Sequence, residues 1–413
     1  YKIKKKMKKT YLAWIFTGND YFQSIVPHFF LLKKLSENFD KIYLINLVNL
    51  KLFEDTRSVS SKLEMSEEDK KLYTIGNNVE IFKPKNKSEF SDFMKDKNIV
   101  AINNFGRYFS EIPIHFLLSK HRIKQVQVSF VGNIQSDQME YGNIFKAVIY
   151  FINKNISYKL ITLFSNLSLI PKIDIRFTSI KGLVNNPSHI RRLVEIFNIP
   201  YIKKYVLINS RSYDMAMENK NSLSEEKIVF LDFMVNNGEN KAIRGDLPKD
   251  DYDSHYKNLN QILKKIEFVL EKKLIVCLHP RDNFSEKKSI FKDFEVFQFK
   301  TREKILQSFC VIFFDSSAIV DAIILKKRIV TLYSDYLGKS NKDGSDRYKN
   351  EVGILQFNIK EESKINDKNS FLSILNENLR NYDDYIKKNI KPDTDELGYN
   401  KVIRILKEKY SIS

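Results

Sequence analysis

Short apolar runs, rich in β-branched and aromatic residues, alternate with helical periods along almost the whole 413-residue chain. This rhythm constrains the fold most. Strands separated by helices satisfy their backbone hydrogen bonds as a parallel sheet with helices packed on its faces. In the first series, Tyr11–Thr17, Lys41–Val48, Val79–Phe82, Ile99–Asn103 and Gln125–Val131 read as strands. Helices are expected at Tyr21–Asn38, Ser88–Lys95 and Ser110–Lys120. A second series has strands at Lys204–Asn209, Lys227–Asp232, Leu274–Leu278, Phe294–Phe299, Cys310–Phe314 and Arg328–Tyr333. Its helices are Tyr252–Lys272, Arg302–Gln307 and Ala318–Leu325, followed by two more at about Ser370–Lys387 and Glu396–Lys409. The rhythm weakens around Asn185–Ile199, a stretch punctuated by Pro187 and Pro200. The expected organisation is therefore an α/β domain over 1–200, a second over 201–395 and a terminal helix over 396–413. Residues 133–175 differ, with helical periodicity interrupted by Lys and Asn. They read either as a helical pair inside the first domain or as a surface for anionic lipid.

With 43% hydrophobic and 29% charged residues, and only 12 Gly and 9 Pro, the chain is neither collagen-like nor low-complexity, and it has material for two cores. Cys277 and Cys310 both lie in apolar runs, which excludes a disulfide scaffold or a Cys-rich zinc site. The six His show no ligand spacing, so no metal or other cofactor is expected. A net charge of +18 suits an anionic membrane surface or phosphorylated substrates, but the excess is mainly Lys and is spread along the chain, as an AT-rich genome would also produce. Lys2, Lys4, Lys5, Lys6, Lys8 and Lys9 stand where a signal peptide would need an apolar stretch, and Met7 reads as the native start. A cytoplasmic protein is expected, resting peripherally on the inner membrane. Aromatics fall at core-type positions, so no nucleic-acid partner is expected.

Binding sites in such sheets lie beyond the carboxyl ends of the strands. One strand delivers His279, Pro280 and Arg281 there. Pro280 stops the strand, an imidazole can donate to a phosphate, and the Arg281 fork matches phosphate oxygens. Another strand ends in Asp315, Ser316 and Ser317 and leads directly into a helix, where two hydroxyls and first-turn N–H groups would hold an anion or simply cap the helix. In the first domain, Gly18 and Asn19 precede Asp20, which reads either as the cap of the helix starting at Tyr21 or as a catalytic base. Glu111, Asp137 and Glu140 are further carboxylates beyond strand ends. Ser210 and Asp214, and Asp232 at the end of its strand, are candidate cleft residues, each equally a cap or loop position. Asp343–Arg347 reads as a polar loop.

The His-Pro strand end followed by the paired serines, His279-Pro280 and Ser316-Ser317 after Asp315, resembles the donor half of bacterial envelope transferases of the GT-B class. Relatives include CDP-glycerol glycerophosphotransferases and transferases of CMP-activated sialic acid or Kdo. The resemblance covers about Lys227–Tyr336. It implies two Rossmann-like doubly wound domains facing a central cleft, with a C-terminal helix crossing back. It also implies that His279, Pro280, Arg281, Asp315, Ser316 and Ser317 hold the donor phosphates. The expected activity is metal-independent, inverting transfer of an acidic sugar from a CMP donor to a glycan or glycolipid, with Asp20 and His279 as catalytic groups. The alternative within the fold is a CDP-polyol phosphotransferase. UDP-N-acetylglucosamine 2-epimerases share the His-Pro strand end but carry Ser-Gly-Gly where this chain has Ser316, Ser317 and Ala318. A non-catalytic envelope partner is the reading from another class.

Overall fold

The computed structural model describes residues 9–18, 21–52, 67–103, 109–129, 163–164, 167, 173–179, 202–218, 226–233, 249–280, 282–314, 316–391 and 396–412. The chain divides into two units, Tyr1–Arg211 with Pro392–Ser413, and Ser212–Lys391.

The first unit is built on a seven-stranded sheet in the order β3-β2-β1-β4-β5-β6-β7, and every pair is parallel. The strands are β1 (Thr10–Phe16), β2 (Ile42–Asn46), β3 (Val79–Phe82), β4 (Asn98–Asn103), β5 (Lys124–Ser129), β6 (Ile173–Thr178) and β7 (Tyr205–Leu207). Side chains alternate across a strand, so β1 feeds two cores. Leu12, Trp14 and Phe16 pack with Leu31, Leu32 and Leu35 of the helix Phe29–Asn38, while Ala13 and Ile15 pack with Phe90, Met94, Ile114 and Leu118 on the other face. Burial on both faces explains why β1 reads as one continuous apolar run.

The second unit holds a six-stranded parallel sheet in the order β10-β9-β8-β11-β12-β13. Its strands are β8 (Lys227–Leu231), β9 (Leu274–Cys277), β10 (Glu295–Phe297), β11 (Ser308–Phe313), β12 (Arg328–Tyr333) and β13 (Leu355–Asn358). The helix Lys249–Leu270 lays Tyr256, Leu259, Ile262, Leu263 and Ile266 onto one face. Cys277 and Cys310 are buried and free, and burial pushes both thiols up to about 12, so neither is a reactive thiolate.

Three assignments change. Lys204–Asn209, read as opening the second domain, contributes β7 to the first sheet, paired with β6. A short apolar run carries no label for its partner. That partner, β6, was hidden in the stretch read as helical, although Ile173, Ile175 and Phe177 alternate as a strand should. The rest of that stretch, and the Pro187–Pro200 crossing, lie outside the described residues apart from Leu163, Phe164 and Leu167. The polar run Asp343–Arg347 is not a loop but lies inside the helix Gly338–Val352. Its hydrophilic sequence is held by tertiary bonds: Ser345 Oγ meets Thr331 Oγ1 at 3.0 Å, Asn341 Oδ1 accepts from the Ser334 N–H at 3.2 Å, and Tyr348 is buried against Phe313. The strand β13 follows it and has no counterpart in the sequence reading.

The chain returns to the first unit with the helix Gly398–Tyr410, whose Tyr399, Val402, Ile403, Leu406 and Tyr410 enter the Trp14 core. Among the described residues no helix is long and apolar enough to cross a membrane. Leu406→Ala should destabilise the first unit by about 2–4 kcal/mol through lost burial and a residual cavity. Trp14, the chain's one tryptophan and 2% exposed, reports this directly in urea unfolding followed by fluorescence.

Candidate functional site

In both sheets the first strand lies inside the sheet, third from one edge, and the chain winds outward in one direction and then the other. The reversal falls between β1 and β4 in the first unit and between β8 and β11 in the second. Connections leave those two strands toward opposite faces, which opens a crevice beyond their carboxyl ends.

In the second unit three strand ends meet there. β8 lies between β9 and β11. His279 and Pro280 follow β9, Asp232 ends β8, and Phe314, Ser316 and Ser317 follow β11. Two strand spacings, roughly 10 Å, separate the β9 and β11 exits. His279, Pro280 and Ser316 are half-buried and Ser317 is exposed, so this rim is open to a ligand. Arg281 and Asp315 lie outside the described residues.

The serines do not cap the following helix as expected. It runs Ile319–Ile324 with Ala318 at the cap position and no side-chain cap bond. Ser316 Oγ instead accepts from the Ala318 N–H at 3.3 Å, and the Ser316 and Ser317 carbonyls accept from the N–H groups of Ile319 and Val320 at 3.2 and 3.4 Å. The helix starts one residue later than the sequence suggests, and Ser317 before it is exposed.

Beneath this rim lies a buried polar floor. Asp232 is 6% exposed, and its Oδ2 is 2.8 Å from Nζ of Lys287, itself 5% exposed. It is therefore an ion-pair partner inside the protein rather than an open cleft residue. Burial raises the Asp232 carboxyl pKa, and Lys287 opposes the rise. Lys287 also donates to the Tyr256 hydroxyl and lies 4.5 Å from that ring. Next along the helix, His255 Nδ1 meets Ser334 Oγ at 3.0 Å, beyond the end of β12, and its ring lies 5.7 Å from that of Phe314. Burial, with Lys287 nearby, pushes this imidazole down to about 3, so it is neutral. Successive residues of one helix thus support both loops: Tyr256 through Lys287 under the His279 turn, and His255 through Phe314 under the serines. The sequence reading missed Lys287 and gave His255 and Tyr256 no role at the site. A buried Lys has no local signature, because its burial is decided by Asp232 and Tyr256, distant in sequence.

Asp282 closes the turn after His279, its N–H donating to the His279 carbonyl at 3.0 Å. Burial pushes its carboxyl up to about 6, against Lys287 and reinforced by Asp232.

In the first unit, Asn19 and Asp20 lie outside the described residues. The Gly18 carbonyl accepts from Asn46 Nδ2 at 3.1 Å, and Thr17 Oγ1 donates to Glu111 Oε1 at 2.7 Å. Glu111 is 1% exposed, so a carboxylate is stored at the carboxyl end of β1. Ser210 and Asp214, read as cleft candidates, are both fully buried. His28 is packed against Trp14 and pushed down to about 4, first by burial and then by Arg211. Among the described residues no group of three His, Cys, Asp or Glu is arranged to hold a metal ion.

No protein-family model matches the chain. No curated protein matches it either. Solved structures do. A variant of the wall teichoic acid polymerase TagF superposes with a TM-score of 0.52 and 12% identity, over 98% of this chain and 89% of that one. The same polymerase soaked with CDPG gives 0.50 and 11%, over 98% and 89%. The fold is GT-B. A UDP-GlcNAc 2-epimerase from Methanocaldococcus jannaschii, in complex with UDP-GlcNAc and UDP, gives a TM-score of 0.45 at 14% identity, over 97% and 99%. At these identities the GT-B likeness establishes architecture and leaves activity to the residues.

Two outcomes follow from the floor. Lys287→Met should cost about 3–5 kcal/mol, because it strands a buried carboxylate, and adding Asp232→Asn should recover much of the loss; chemical denaturation of the two variants measures both. Asp282 has a folded pKa above its unfolded value, so the stability tied to its proton is present below about pH 4 and is lost as pH rises through about 6. Asp282→Asn should therefore raise the melting temperature at pH 7 more than at pH 4, as calorimetry at the two pH values would show.

Proposed function

We propose that the protein is a GT-B transferase of bacterial cell-surface polysaccharide synthesis, acting on a cytidine-nucleotide donor. The observation that carries this reading is the placement of His279 and Ser316-Ser317 on one open rim at the reversal point of the second sheet. In the sugar-transfer form, an acceptor hydroxyl oxygen bonds to the anomeric carbon as the bond from that carbon to the CMP phosphate oxygen breaks. The electron pair leaves with the phosphate, and the hydroxyl proton passes to a carboxylate base. Asp20 is the proposed base, and Glu111, which accepts from Thr17 beyond the end of β1, is a further candidate. His279, Arg281 and the Ser317 hydroxyl would take the charge growing on the departing phosphate, where preorganised donors act most strongly. No metal enters this scheme. The donor sugar is read as acidic, of the sialic acid or Kdo type, and the acceptor as a glycan or glycolipid.

The likeness to TagF favours a second form, in which a polyol phosphate moves from a CDP-polyol and CMP departs. The same rim would then grip a pyrophosphate. The reading also sets the first unit against an anionic inner leaflet. Support comes from Lys124, Lys203 and Lys204 gathered near Lys409, with Lys203 on the Asp174 carboxylate at 2.5 Å. Each lysine near such a surface is worth about 1 kcal/mol.

Purified protein incubated separately with CMP-Kdo, CMP-sialic acid and CDP-glycerol should release CMP from one of them. His279→Ala and Ser317→Ala should lower that turnover by about a hundredfold or more while the protein stays folded. Release from none of the three, or full turnover in both variants, would remove the proposal, and variants without effect on cellular function would favour a non-catalytic partner.

A further inference from the structure

The His279 turn is held from outside by a residue with no place in the reading so far. Gln298 follows the last residue of β10, where the Leu278 N–H donates to the Phe297 carbonyl at 2.8 Å. Its side-chain Nε2 donates to the His279 carbonyl at 3.0 Å and to the Asp282 carbonyl at 3.0 Å. These are the first and fourth residues of one turn, already joined by the bond from the Asp282 N–H to the His279 carbonyl. A primary carboxamide has two donors, and this one spends both on the two ends of the same turn, His279 and Asp282. The His279 carbonyl in turn uses both of its lone pairs.

The surroundings tie the clamp down at both ends. Immediately after Gln298, Phe299 sits at φ +64, a left-handed conformation seldom adopted by a bulky residue and held only where neighbouring structure enforces it. Immediately after the turn, Asn283 Oδ1 accepts from the Glu286 N–H at 3.1 Å and caps the helix Phe284–Ile290, whose Lys287 is fixed on Asp232. The turn is thus anchored from below through Lys287 and from the side through Gln298.

We propose that Gln298 is a positioning residue for His279, setting the turn that presents the imidazole to a nucleotide phosphate. This rests on the reading of His279 as a phosphate ligand. Gln298 touches neither substrate nor reacting atoms; it acts through the backbone of the turn. A glutamate there would keep the shape but face two carbonyls with acceptors alone. A methionine would keep the bulk and remove the donors.

Titration calorimetry of the full chain with CDP and with CMP tests this. Gln298→Glu and Gln298→Met should each raise the Kd of the nucleotide that wild type binds by about tenfold, and each should also lower the unfolding midpoint modestly, because the two hydrogen bonds to the turn are lost in the free protein as well. In a His279→Ala background the same substitutions should change Kd less than twofold, because the clamp then has nothing to position. Should Gln298→Glu fail to fold, Gln298→Met carries the comparison. Wild-type affinity in a folded Gln298 variant, or equal weakening with and without His279, overturns the positioning role. If His279→Ala weakens binding but the Gln298 substitutions do not, only this inference falls. If the wild-type protein binds neither CDP nor CMP, the reading of His279 fails and the inference with it.

Discussion

A parallel sheet covered by helices on both faces has no room for solvent-facing chemistry along its strands. Leu12 to Phe16 and Leu274 to Cys277 are buried on both sides, and every inward position is taken by apolar packing. Polar residues can face a ligand only where the strands stop. The architecture therefore restricts the candidate site to a line of loop residues, and the reversal of strand order picks out the part of that line where the loops diverge. His279, Asp232 and Ser316 are neighbours because β9, β8 and β11 are neighbours.

Loops beyond strand ends are held less firmly than the sheet, yet a candidate ligand site there needs its polar groups held in place. The second unit meets this requirement with polar contacts placed under and beside the rim. The Asp232–Lys287 pair is buried at 1% and 6% side-chain exposure, so desolvating both groups works against folding. Its value lies in geometry: it ties the helix after the His279 turn to the end of the central strand. His255, kept neutral by burial, does the same for the loop after β11 without placing a second charge near Lys287.

The first unit follows the same plan at its own reversal point, where Thr17 and Glu111 join the end of β1 to the start of the helix that follows β4. It differs in its other edge. Lys124 opens β5 and Lys203 and Lys204 precede β7, so the amino ends of these strands collect positive charge near Lys409, partly met by Asp174 on Lys203. Strand carboxyl ends carry the candidate chemistry and strand amino ends carry the charge, a separation that a parallel sheet imposes on any residue type repeated at equivalent places.

Much of this was legible in the residues. Continuous apolar runs such as Leu274–Cys277, too short for a helix and rich in β-branched residues, read as buried strands, and polar residues just after such a run fall at the end of the sheet; His279 and Ser316 were found that way. The sequence also determined the fold class, since alternation of strand and helix leaves few arrangements. It could not assign Tyr205–Leu207 to a sheet, because three apolar residues fit either edge equally well. Nor could it see the helix Gly338–Val352, whose hydrophilic residues are held by Thr331 and Ser334 rather than by local preference. Tertiary structure alone decided that Lys287, Tyr256 and His255 underlie the rim and that Gln298 braces it from the side. The physical reason is that periodicity encodes which face of an element is apolar, whereas a buried ion pair or a side-chain clamp exists only once distant segments have met.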